Sequence, residues 1–324
     1  MEFYYLVSNE VNPYLNLSVE EFLLNDLPKD SCVFYLWQND KTVVIGKNQE
    51  AAAECDLTTM AKEGITLARR CTGGGAVYHD LGNLNFSFIF PNETYDVKRQ
   101  LEVIITALSN LGITAEISGR NDITVGDAKI SGNAFITRKS HSLHHGTLLV
   151  DTDFSAMAKC LTPSIYKLRK KTIASVASRV INLSSIKAIT VDQLKEALSA
   201  AFEKAYSCEL KELTGEINSF AYLAKHQDDA YLLGEKNLMT EVIEGLFDEC
   251  YYKFAFNIEN GRITDILIYT DSLATDVERL LDLLPGKNSE EIAAVLREFF
   301  SAVATDDLQG KIAAALLAKT DDFS

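Results

Sequence analysis

The feature that most constrains this 324-residue chain is a glycine-rich segment, RRCTGGGAVYHD, at residues 69–80. Glycine has no Cβ, so the three consecutive glycines at 73–75 expose their backbone N–H groups and let a ligand approach the chain closely. The two arginines that open the segment add guanidinium donors, and donors of both kinds suit an anionic group. A plain glycine-rich turn with solvated arginines is the alternative. The segment is not a Walker loop, because the G-x-x-x-x-G-K-[ST] pattern is absent.

A second segment, residues 119–134, places Lys129 between apolar neighbours in a predicted strand. A compact ammonium in such a position can neutralise a phosphate or a developing oxyanion, which makes Lys129 a candidate electrostatic catalyst. A lysine at the rim of a strand is the alternative.

Two adjacent histidines, His144 and His145, precede a glycine in a third segment. Adjacent residues of a strand point to opposite faces of the sheet, so at most one of the pair faces a given site. We therefore do not predict that the pair binds a metal. His226 stands apart from these segments and is expected on a surface helix.

The composition excludes several classes of protein. The chain has 31 Lys and Arg against 46 Asp and Glu, a net charge of −15, whereas a protein that coats nucleic acid needs clustered Lys and Arg. The six cysteines are scattered without a C-x-x-C pair, as is typical of free thiols in a reducing cytosol. The N-terminus does not resemble a signal peptide, and no apolar run approaches the roughly 18 residues of a membrane span. We expect a cytoplasmic monomer that binds neither nucleic acid nor membrane.

Local patterns predict strands and helices without regular βαβ alternation, which favours an α+β fold. Two helices are predicted to begin at the capping boxes Ser18/Glu21 and Thr190/Gln193. Further strands are predicted at 32–37, 42–45 and 84–90, and a further helix at 101–108.

The last quarter of the chain is predicted to form a small domain of its own. The Asn260-Gly261 pair between two apolar runs indicates a hairpin, because both residues tolerate positive φ. We divide the chain into a first domain at 1–238 and a second at 239–324, with Gly234 as a possible hinge. The strands and helices predicted in the second domain cover 251–258, 262–269, 289–303 and 306–318.

Together these segments are similar to the lipoate–protein ligases of the biotin/lipoate ligase superfamily. The resemblance covers nearly the whole chain, including stretches near both ends that match the two-domain members. It implies a mixed-sheet biotin/lipoate-ligase-like catalytic domain with a small α/β accessory C-terminal domain. The principal motifs are NLSVEE at 16–21, RRCTGGGAVYHD at 69–80, GRNDI at 119–123, GDAKISGNA at 126–134, HHGTLL at 144–149 and SRVINL at 178–183.

The resemblance implies a two-step reaction that uses ATP and Mg²⁺. The carboxylate of lipoate or octanoate attacks the α-phosphate of ATP, which gives an acyl adenylate and pyrophosphate. A lysine amine of an acceptor protein then displaces AMP and forms an amide. The implied acceptors are the lipoyl domains of 2-oxoacid dehydrogenase complexes, the glycine-cleavage H protein, or both.

The resemblance also assigns roles to site residues. Lys129 is implied to be catalytic, because it would touch both the carboxyl group and the α-phosphate. The residues implied to bind ATP or the adenylate are Arg70, Thr72, Gly73, Gly74, Gly75, Ala76, Val77, Tyr78, Asn121, Asp122, Lys129, Ser131, Gly132 and Ala134. The residues implied to bind lipoate are Trp37, Val44, Arg70, Gly75, Val77, His79, Asn83, Lys129, His145, Gly146 and Thr147. The metal ligands and the acyl preference do not follow from the sequence.

Two other functions stay open at this stage. An acyltransferase of the same superfamily would carry the acyl group on a cysteine shortly before its His-Gly pair, but residues 140–145 contain no cysteine. A non-catalytic protein that binds lipoyl adenylate or lipoyl domains is the other alternative, although the lysine and the glycines are intact. Cys71 is either a small residue that fits the turn or, beside two arginines, a reactive thiol of lowered pKa.

Residues 154–191 contain no Asp or Glu but seven Lys and Arg. A solvated basic face is one interpretation of this stretch. The other is a docking surface for acidic acceptor domains, because complementary charge steers such encounters.

Overall fold

The structure is a computed structural model that describes residues 1–119, 122–162, 179–214, 217–234, 239–273 and 277–320. Its strands are β1 (Glu2–Val7), β2 (Ser31–Trp37), β3 (Thr42–Ile45), β4 (Thr66–Arg69), β5 (Val77–His79), β6 (Asn83–Pro91), β7 (Glu116–Ser118), β8 (Asp122–Val125), β9 (Ala128–Thr137), β10 (His141–Leu149), β11 (Arg179–Val180), β12 (Lys211–Glu212), β13 (Glu241–Phe247), β14 (Cys250–Glu259) and β15 (Arg262–Thr270). Its helices are α1 (Pro13–Asp26), α2 (Ala51–Glu54), α3 (Leu57–Glu63), α4 (Val97–Asn110), α5 (Phe154–Cys160), α6 (Leu183–Ile186), α7 (Val191–Tyr206), α8 (Phe220–His226), α9 (Asp229–Leu233), α10 (Arg279–Leu283), α11 (Ser289–Leu296) and α12 (Ala302–Thr320). None of these helices is long and apolar enough to cross a membrane.

The largest sheet is mixed, which confirms the predicted α+β class. Among the described residues it has nine strands in the order β12-β1-β2-β6-β10-β9-β8-β7, with β11 paired to β9. Strand β1 runs parallel to β2 and β12, and β11 runs parallel to β9. The strands from β2 through β6, β10, β9 and β8 to β7 are antiparallel to their neighbours.

Strand β6 separates the two sides of this sheet. Successive side chains of a strand point to opposite faces, so Phe86 and Phe88 enter the hydrophobic core that α4 and α7 cover. Asn85 and Ser87 stand on the other face, where the Ser87 hydroxyl donates a hydrogen bond to Glu20 of α1. Both faces are buried, and the polar face supplies part of the site described below.

Helix α1 begins at Pro13 rather than at Ser18, so the predicted start was wrong. The Asn12 side chain accepts a hydrogen bond from the backbone N–H of Tyr14, and Pro13 occupies the first turn, where its missing N–H is harmless. The Ser18 hydroxyl instead donates to the Tyr14 carbonyl from inside the helix. By contrast, the predicted capping box at the start of α7 is present.

His226 is buried, which corrects the prediction that it lies on a surface helix. Helix α8 packs against α1, where His226 Nε2 lies 3.0 Å from the Glu21 carboxylate and Lys225 Nζ lies 2.6 Å from it. Burial alone would raise the pKa of Glu21, but the hydrogen bonds from His226 and Lys225 lower it to about 2. These contacts of Lys225 and His226 with Glu21, which is distant from them in sequence, therefore fix the position of α8 on α1.

A second sheet, β4-β3-β5, carries the glycine-rich segment. Strand β3 is parallel to β4 and antiparallel to β5, so the connection from β4 to β5 must cross the carboxyl end of β3. The crossing is tight, because a Cβ on Gly46 would lie 2.2 Å from the carbonyl oxygen of Gly74.

The small C-terminal domain contains the antiparallel sheet β13-β14-β15 and helices α10 to α12 around a core of its own. The predicted hairpin is present, and its turn residues Asn260 and Gly261 have φ values of 51° and 70°. The boundary that we place between residues 238 and 239 stays a prediction, since 235–238 lie outside the described residues.

The two helices predicted near the C-terminus are found with corrected ends. Helix α11 ends at Leu296 rather than at 303. Helix α12 begins at Ala302, because the Ser301 hydroxyl accepts a hydrogen bond from the backbone N–H of Ala304 and so caps a new helix.

Candidate active site

A cavity of about 290 Å³ opens where the glycine-rich segment meets the face of the large sheet that carries Trp37 and Asn85. The two sheets supply most of its wall, and the C-terminal domain contributes Asp271 and Leu273. The full wall consists of Leu17, Trp37, Val44, Arg70, Gly74, Gly75, Ala76, Val77, His79, Asn85, Lys129, Gly132, Asn133, Ala134, His145, Gly146, Thr147, Asp271 and Leu273.

The glycine loop is held against the C-terminal domain. Gly74 has a φ of +93° and donates its N–H to the Ser272 carbonyl at 3.1 Å. A Cβ on Gly73 would lie 2.5 Å from the same carbonyl oxygen. Only glycine therefore allows this approach of the two backbones. An ion pair of 2.6 Å between Lys253 and Glu50 adds a contact between the domains.

Arg70 places a positive charge in the cavity wall. Its Nε donates to Thr72 Oγ1 at 3.0 Å, and its terminal nitrogens donate to backbone carbonyls, including that of Gly75 at 2.8 Å. Burial lowers the pKa of Arg70 to about 10, so it stays charged at neutral pH. Because these partners are neutral oxygens, the charge of the buried guanidinium is left for an anion in the cavity.

Lys129 places a second positive charge in the wall. It lies near the start of β9, and its Nζ forms an ion pair of 2.7 Å with Asp122 on β8. The ammonium reaches across Gly132, where a Cβ would lie 3.0 Å from Nζ. The side chain is about one-third exposed, so it is open to a ligand while its direction is fixed.

A buried chain of hydrogen bonds positions Arg70. The Glu20 carboxylate, which is 1% exposed, accepts from His145 Nδ1 at 2.9 Å. His145 Nε2 is 2.8 Å from Thr72 Oγ1, which in turn accepts from Arg70 Nε. Each donor and acceptor is matched when His145 carries its proton on Nδ1 and Thr72 donates to Nε2. Glu20 also accepts a hydrogen bond from the Ser87 hydroxyl. The same hydroxyl accepts from the Trp37 indole N–H at 3.0 Å, so Trp37 is linked to the chain.

Another part of the cavity wall is mainly apolar, and we call it the apolar end; the part that carries Arg70 and Lys129 is the polar end. Leu17, Val44 and Val77 line it together with Trp37. The His79 ring meets Trp37 edge-on, with 6.1 Å between the ring centroids. A cavity with fixed cations at one end and an apolar wall at the other suits an elongated molecule with an anionic head and an apolar chain.

The adjacent histidines point to opposite faces, as predicted. His145 faces the cavity, whereas His144 Nδ1 lies 3.0 Å from Gln100 behind the sheet, where its ring meets Phe86 edge-on and lies tilted against Phe135. The described residues contain no group of three His, Cys, Asp or Glu that could hold a metal ion.

The structure brings most of the predicted site residues to the cavity wall, and it places six described ones outside the wall. One of the six is Asp122, which is ion-paired with Lys129. Thr72 and Gly73 lie just behind the wall, where they contact His145 and Ser272. Tyr78 points into a neighbouring apolar cluster. Ser131 and Asn83 are buried outside the wall.

The predicted residue Asn121 lies outside the described residues. Several wall residues were not predicted from the sequence. Asn85 stands in the wall in place of Asn83; the alternation along β6 puts both on the same face, so it could not have distinguished them. Leu17 and Glu20 belong to a motif that carried the resemblance, but nothing local showed that α1 reaches the cavity. Asp271 and Leu273 arrive through contact between the domains, for which the sequence gives no signal.

The two consecutive arginines have different surroundings. Unlike Arg70, Arg69 donates hydrogen bonds to five backbone carbonyls, which belong to Gly46, Lys47, Gln49, Tyr231 and Leu232. It therefore ties β4 to helix α9 rather than contributing to the cavity wall.

Cys71 is a buried residue of the turn, which supports the first of its two interpretations and argues against a reactive thiol of lowered pKa. Burial raises the pKa of its thiol to about 12, and the nearby Glu20 and Glu21 carboxylates act in the same direction. The neighbouring arginines direct their guanidinium groups to carbonyl and hydroxyl oxygens instead.

The comparison with known proteins agrees with this geometry. Residues 12–203 match the family model of the lipoyl protein ligase A/B catalytic domain. The lipoate-protein ligase A of Bdellovibrio bacteriovorus is 38% identical over 294 residues, which cover 87% of each chain. The structure of P. falciparum LipL1 in complex with lipoate has a TM-score of 0.80 and 32% identity, over 96% of this chain and 99% of that one.

A lipoate-protein ligase A bound with ATP is also similar, with a TM-score of 0.63 and 29% identity, over 72% of this chain and 99% of that one. The family model spans the glycine-rich segment, and LipL1 matches nearly the whole length of this chain. The chain therefore belongs to the lipoyl protein ligase A/B family.

Proposed function

We propose that this protein is an ATP-dependent lipoate–protein ligase that activates lipoate or octanoate as the acyl adenylate and transfers the acyl group to a lysine of an acceptor protein. The observation that carries the proposal is the cavity itself, whose wall combines two cations, Arg70 and Lys129, with the apolar side chains of Leu17, Trp37, Val44 and Val77. The similarity to a lipoate-bound and an ATP-bound ligase supports the same assignment.

In the first step the substrate carboxylate attacks the α-phosphate of ATP and pyrophosphate leaves. Two anions must approach each other, so the main task of the protein is to hold them and to offset their charge. Lys129 is suited to contact both the carboxylate and the α-phosphate, because its ammonium is held over Gly132 at the cavity wall. Arg70 and the backbone amides of the glycine loop add fixed donors around the adenylate.

In the second step an acceptor lysine attacks the acyl carbon, and AMP leaves as the amide forms. The adenylate is the activated species, so the reaction needs no nucleophilic side chain from the protein. No cysteine belongs to the described part of the cavity wall, and the raised pKa of Cys71 makes it a poor thiolate. Both observations favour a ligase over an acyltransferase that carries the acyl group on cysteine.

Mg²⁺ fits this site as a companion of the nucleotide. Mg²⁺ is usually held by one or two carboxylates together with substrate phosphates, and Asp122 offers one carboxylate beside Lys129. When bound, the ion would neutralise phosphate charge. We propose Asp122 as its protein ligand.

The acceptors that we propose are lipoyl domains of 2-oxoacid dehydrogenase complexes, the glycine-cleavage H protein, or both. The basic stretch that would dock them lies largely at 163–178, outside the described residues, and so the docking surface stays a prediction. The division into domains at 1–238 and 239–324, the cytoplasmic location and the monomeric state are proposals of the same kind.

Pyrophosphate release tests the proposal directly. Purified protein should release pyrophosphate only when ATP, Mg²⁺ and lipoate or octanoate are all present, and an acceptor lipoyl domain added afterwards should gain the mass of one acyl group. Release of no pyrophosphate with either acid, combined with binding of lipoyl adenylate, would instead favour the non-catalytic alternative.

A further inference from the structure

Two buried hydrogen-bond donors at the apolar end of the cavity have no acceptor among the described residues. They are Nε2 of His79 and Nδ2 of Asn85, and both residues are in the cavity wall. His79 is 3% exposed and Asn85 is 2% exposed, so neither group is solvated from outside the cavity. A buried donor without an acceptor is costly, which makes a ligand the natural partner.

The position of the proton on His79 follows from its neighbours. The Asn16 amide donates to two backbone carbonyls and to Asn39 Oδ1, which fixes the orientation of both asparagines. Asn39 must then present its Nδ2 to His79 Nδ1, at 3.2 Å. Since Nδ1 accepts this hydrogen bond, a neutral His79 carries its proton on Nε2.

His79 is neutral at physiological pH. Burial lowers its pKa to about 3, and the positive charge of Arg70 and the nearby His145 act in the same direction. Its Nε2–H is therefore available as a donor whenever the enzyme works.

The amide of Asn85 completes the pair. Its Oδ1 accepts from Asn83 Nδ2 at 2.9 Å, and its own Nδ2 has no partner among the described residues. Asn85 stands directly opposite Trp37 in the β2–β6 register, and His79 contacts the edge of the same indole. The Trp37 N–H is already used by Ser87, so the two remaining donors flank an apolar ring.

We propose that His79 and Asn85 recognise a hydrogen-bond acceptor at the far end of the acyl chain, and that they make this enzyme prefer lipoate to octanoate. The proposal rests on the ligase function proposed above. The dithiolane ring of lipoate ends in two sulfur atoms, which are weak acceptors, whereas octanoate ends in a methyl group and leaves both donors unpaired.

The preference should be moderate, because sulfur accepts weakly. Hydrogen bonds between neutral groups contribute enough for a change of roughly three- to tenfold in kcat/KM. The effect is expected mainly in KM of the acid, since the donors contact the acyl chain and not the reacting carboxylate.

The first test uses the wild-type protein and three acids. Lipoate, octanoate and 5-cyclopentylpentanoate, in which a carbon ring replaces the dithiolane, are compared by kcat/KM for pyrophosphate release. We expect lipoate to exceed the cyclopentyl acid by roughly three- to tenfold. Equal values for these two acids would overturn the proposal, because their ring shapes are similar and only one carries acceptors.

The second test removes the donors. His79→Phe and Asn85→Leu should lower the lipoate-to-cyclopentyl ratio to within about twofold of unity, with the cyclopentyl acid still activated. His141→Phe, at a buried histidine outside the cavity wall, is the matched control and should keep the wild-type ratio. An unchanged ratio in both cavity variants would overturn the proposal.

The two tests separate this inference from the proposed function. If wild-type protein releases pyrophosphate with none of the three acids, the ligase function itself fails and the inference fails with it. If it releases pyrophosphate with all three but without discrimination, the ligase function stands and only the inference is overturned. If the variants fail to fold, the comparison of the three acids with wild-type protein decides the inference by itself.

Discussion

The two ends of the cavity differ in how their hydrogen-bonding groups are used. At the polar end, Glu20, His145, Thr72 and Arg70 are matched with one another, and Arg70 and Lys129 present fixed cations to a ligand. At the apolar end, charge is absent from the wall, and what remains is a pair of neutral donors beside Trp37. A rigid cation suits a reaction that moves negative charge, whereas neutral donors in an apolar wall suit selection of a chain. Substitutions at the two ends should therefore separate rate from selectivity.

The largest effect is expected from Lys129→Ala at the polar end. Removal of the ammonium should lower kcat for pyrophosphate release roughly a thousandfold, because fixed charge at the reacting groups is lost. Lys98→Ala, at an exposed lysine of α4, is the control and should behave as wild type. Substantial activity of Lys129→Ala would refute the role that we give to this residue and remove the basis of the comparison.

The next effect is expected from the buried chain behind Arg70. Glu20→Ala leaves the His145 N–H without its acceptor, so Thr72 and Arg70 lose their support, and kcat/KM should fall roughly 10- to 100-fold. Glu20→Gln keeps an oxygen acceptor and should recover most of the activity. Both variants are compared by kcat and by KM for lipoate and for ATP, and their folding is checked by circular dichroism. A positioning defect changes these kinetic constants in protein that is fully folded, whereas general instability lowers the folded fraction. Equal losses in both variants would show that the charge of Glu20 matters rather than its hydrogen bond.

A smaller effect is expected where the C-terminal domain covers the polar end. Gly73→Ala would push a methyl group against the Ser272 carbonyl, whereas a Cβ on Gly75 meets nothing within 4 Å. The first variant should lose about 1–3 kcal/mol of unfolding free energy and the second should lose less than about 1 kcal/mol, as measured by urea denaturation. If the two variants were equally stable, the close contact between loop and domain would not exist in solution.

Two buried histidines, His79 in the cavity wall and His144 on the other face of the sheet, should also be visible in the pH dependence of stability. His79 and His144 both have pKa values lowered from 6.5 to about 3, mainly by burial, so the folded protein keeps them neutral while the unfolded chain takes up protons below pH 6.5. Their contribution to stability is therefore complete above pH 6.5 and is lost as the pH falls toward 3. Between pH 7 and pH 5 each histidine should lower the free energy of unfolding by about 2 kcal/mol. His79→Phe should remove the His79 share of this pH dependence when the free energy of unfolding is measured by urea denaturation at several pH values. An unchanged pH dependence would contradict the buried, neutral state of His79.

The sequence predicted best those features that depend on local patterns. The alternation in β6, the Asn260-Gly261 hairpin and the capping box at Thr190 are encoded within a few residues, and the structure confirms all three. The same kind of reasoning failed at the start of α1, where Ser18 and Glu21 imitate a capping box while the helix begins at Pro13.

Features that depend on distant contacts could not be predicted. The burial of His226 arises because α8 packs on α1, and the raised pKa of Cys71 arises from the desolvation of its whole turn. Leu17, Asp271 and Leu273 reach the cavity from both ends of the chain. For the candidate site, the motifs therefore indicated the central loop and strands, and tertiary packing supplied the remaining wall.

The placement of Trp37 has a practical consequence. It is the single tryptophan of the chain, and it lies in the cavity wall between His79 and Asn85. Intrinsic tryptophan fluorescence therefore originates in this cavity wall and reports on changes there without a label. Binding of the acid can be followed by this emission separately from the later chemistry, in the absence of nucleotide or acceptor.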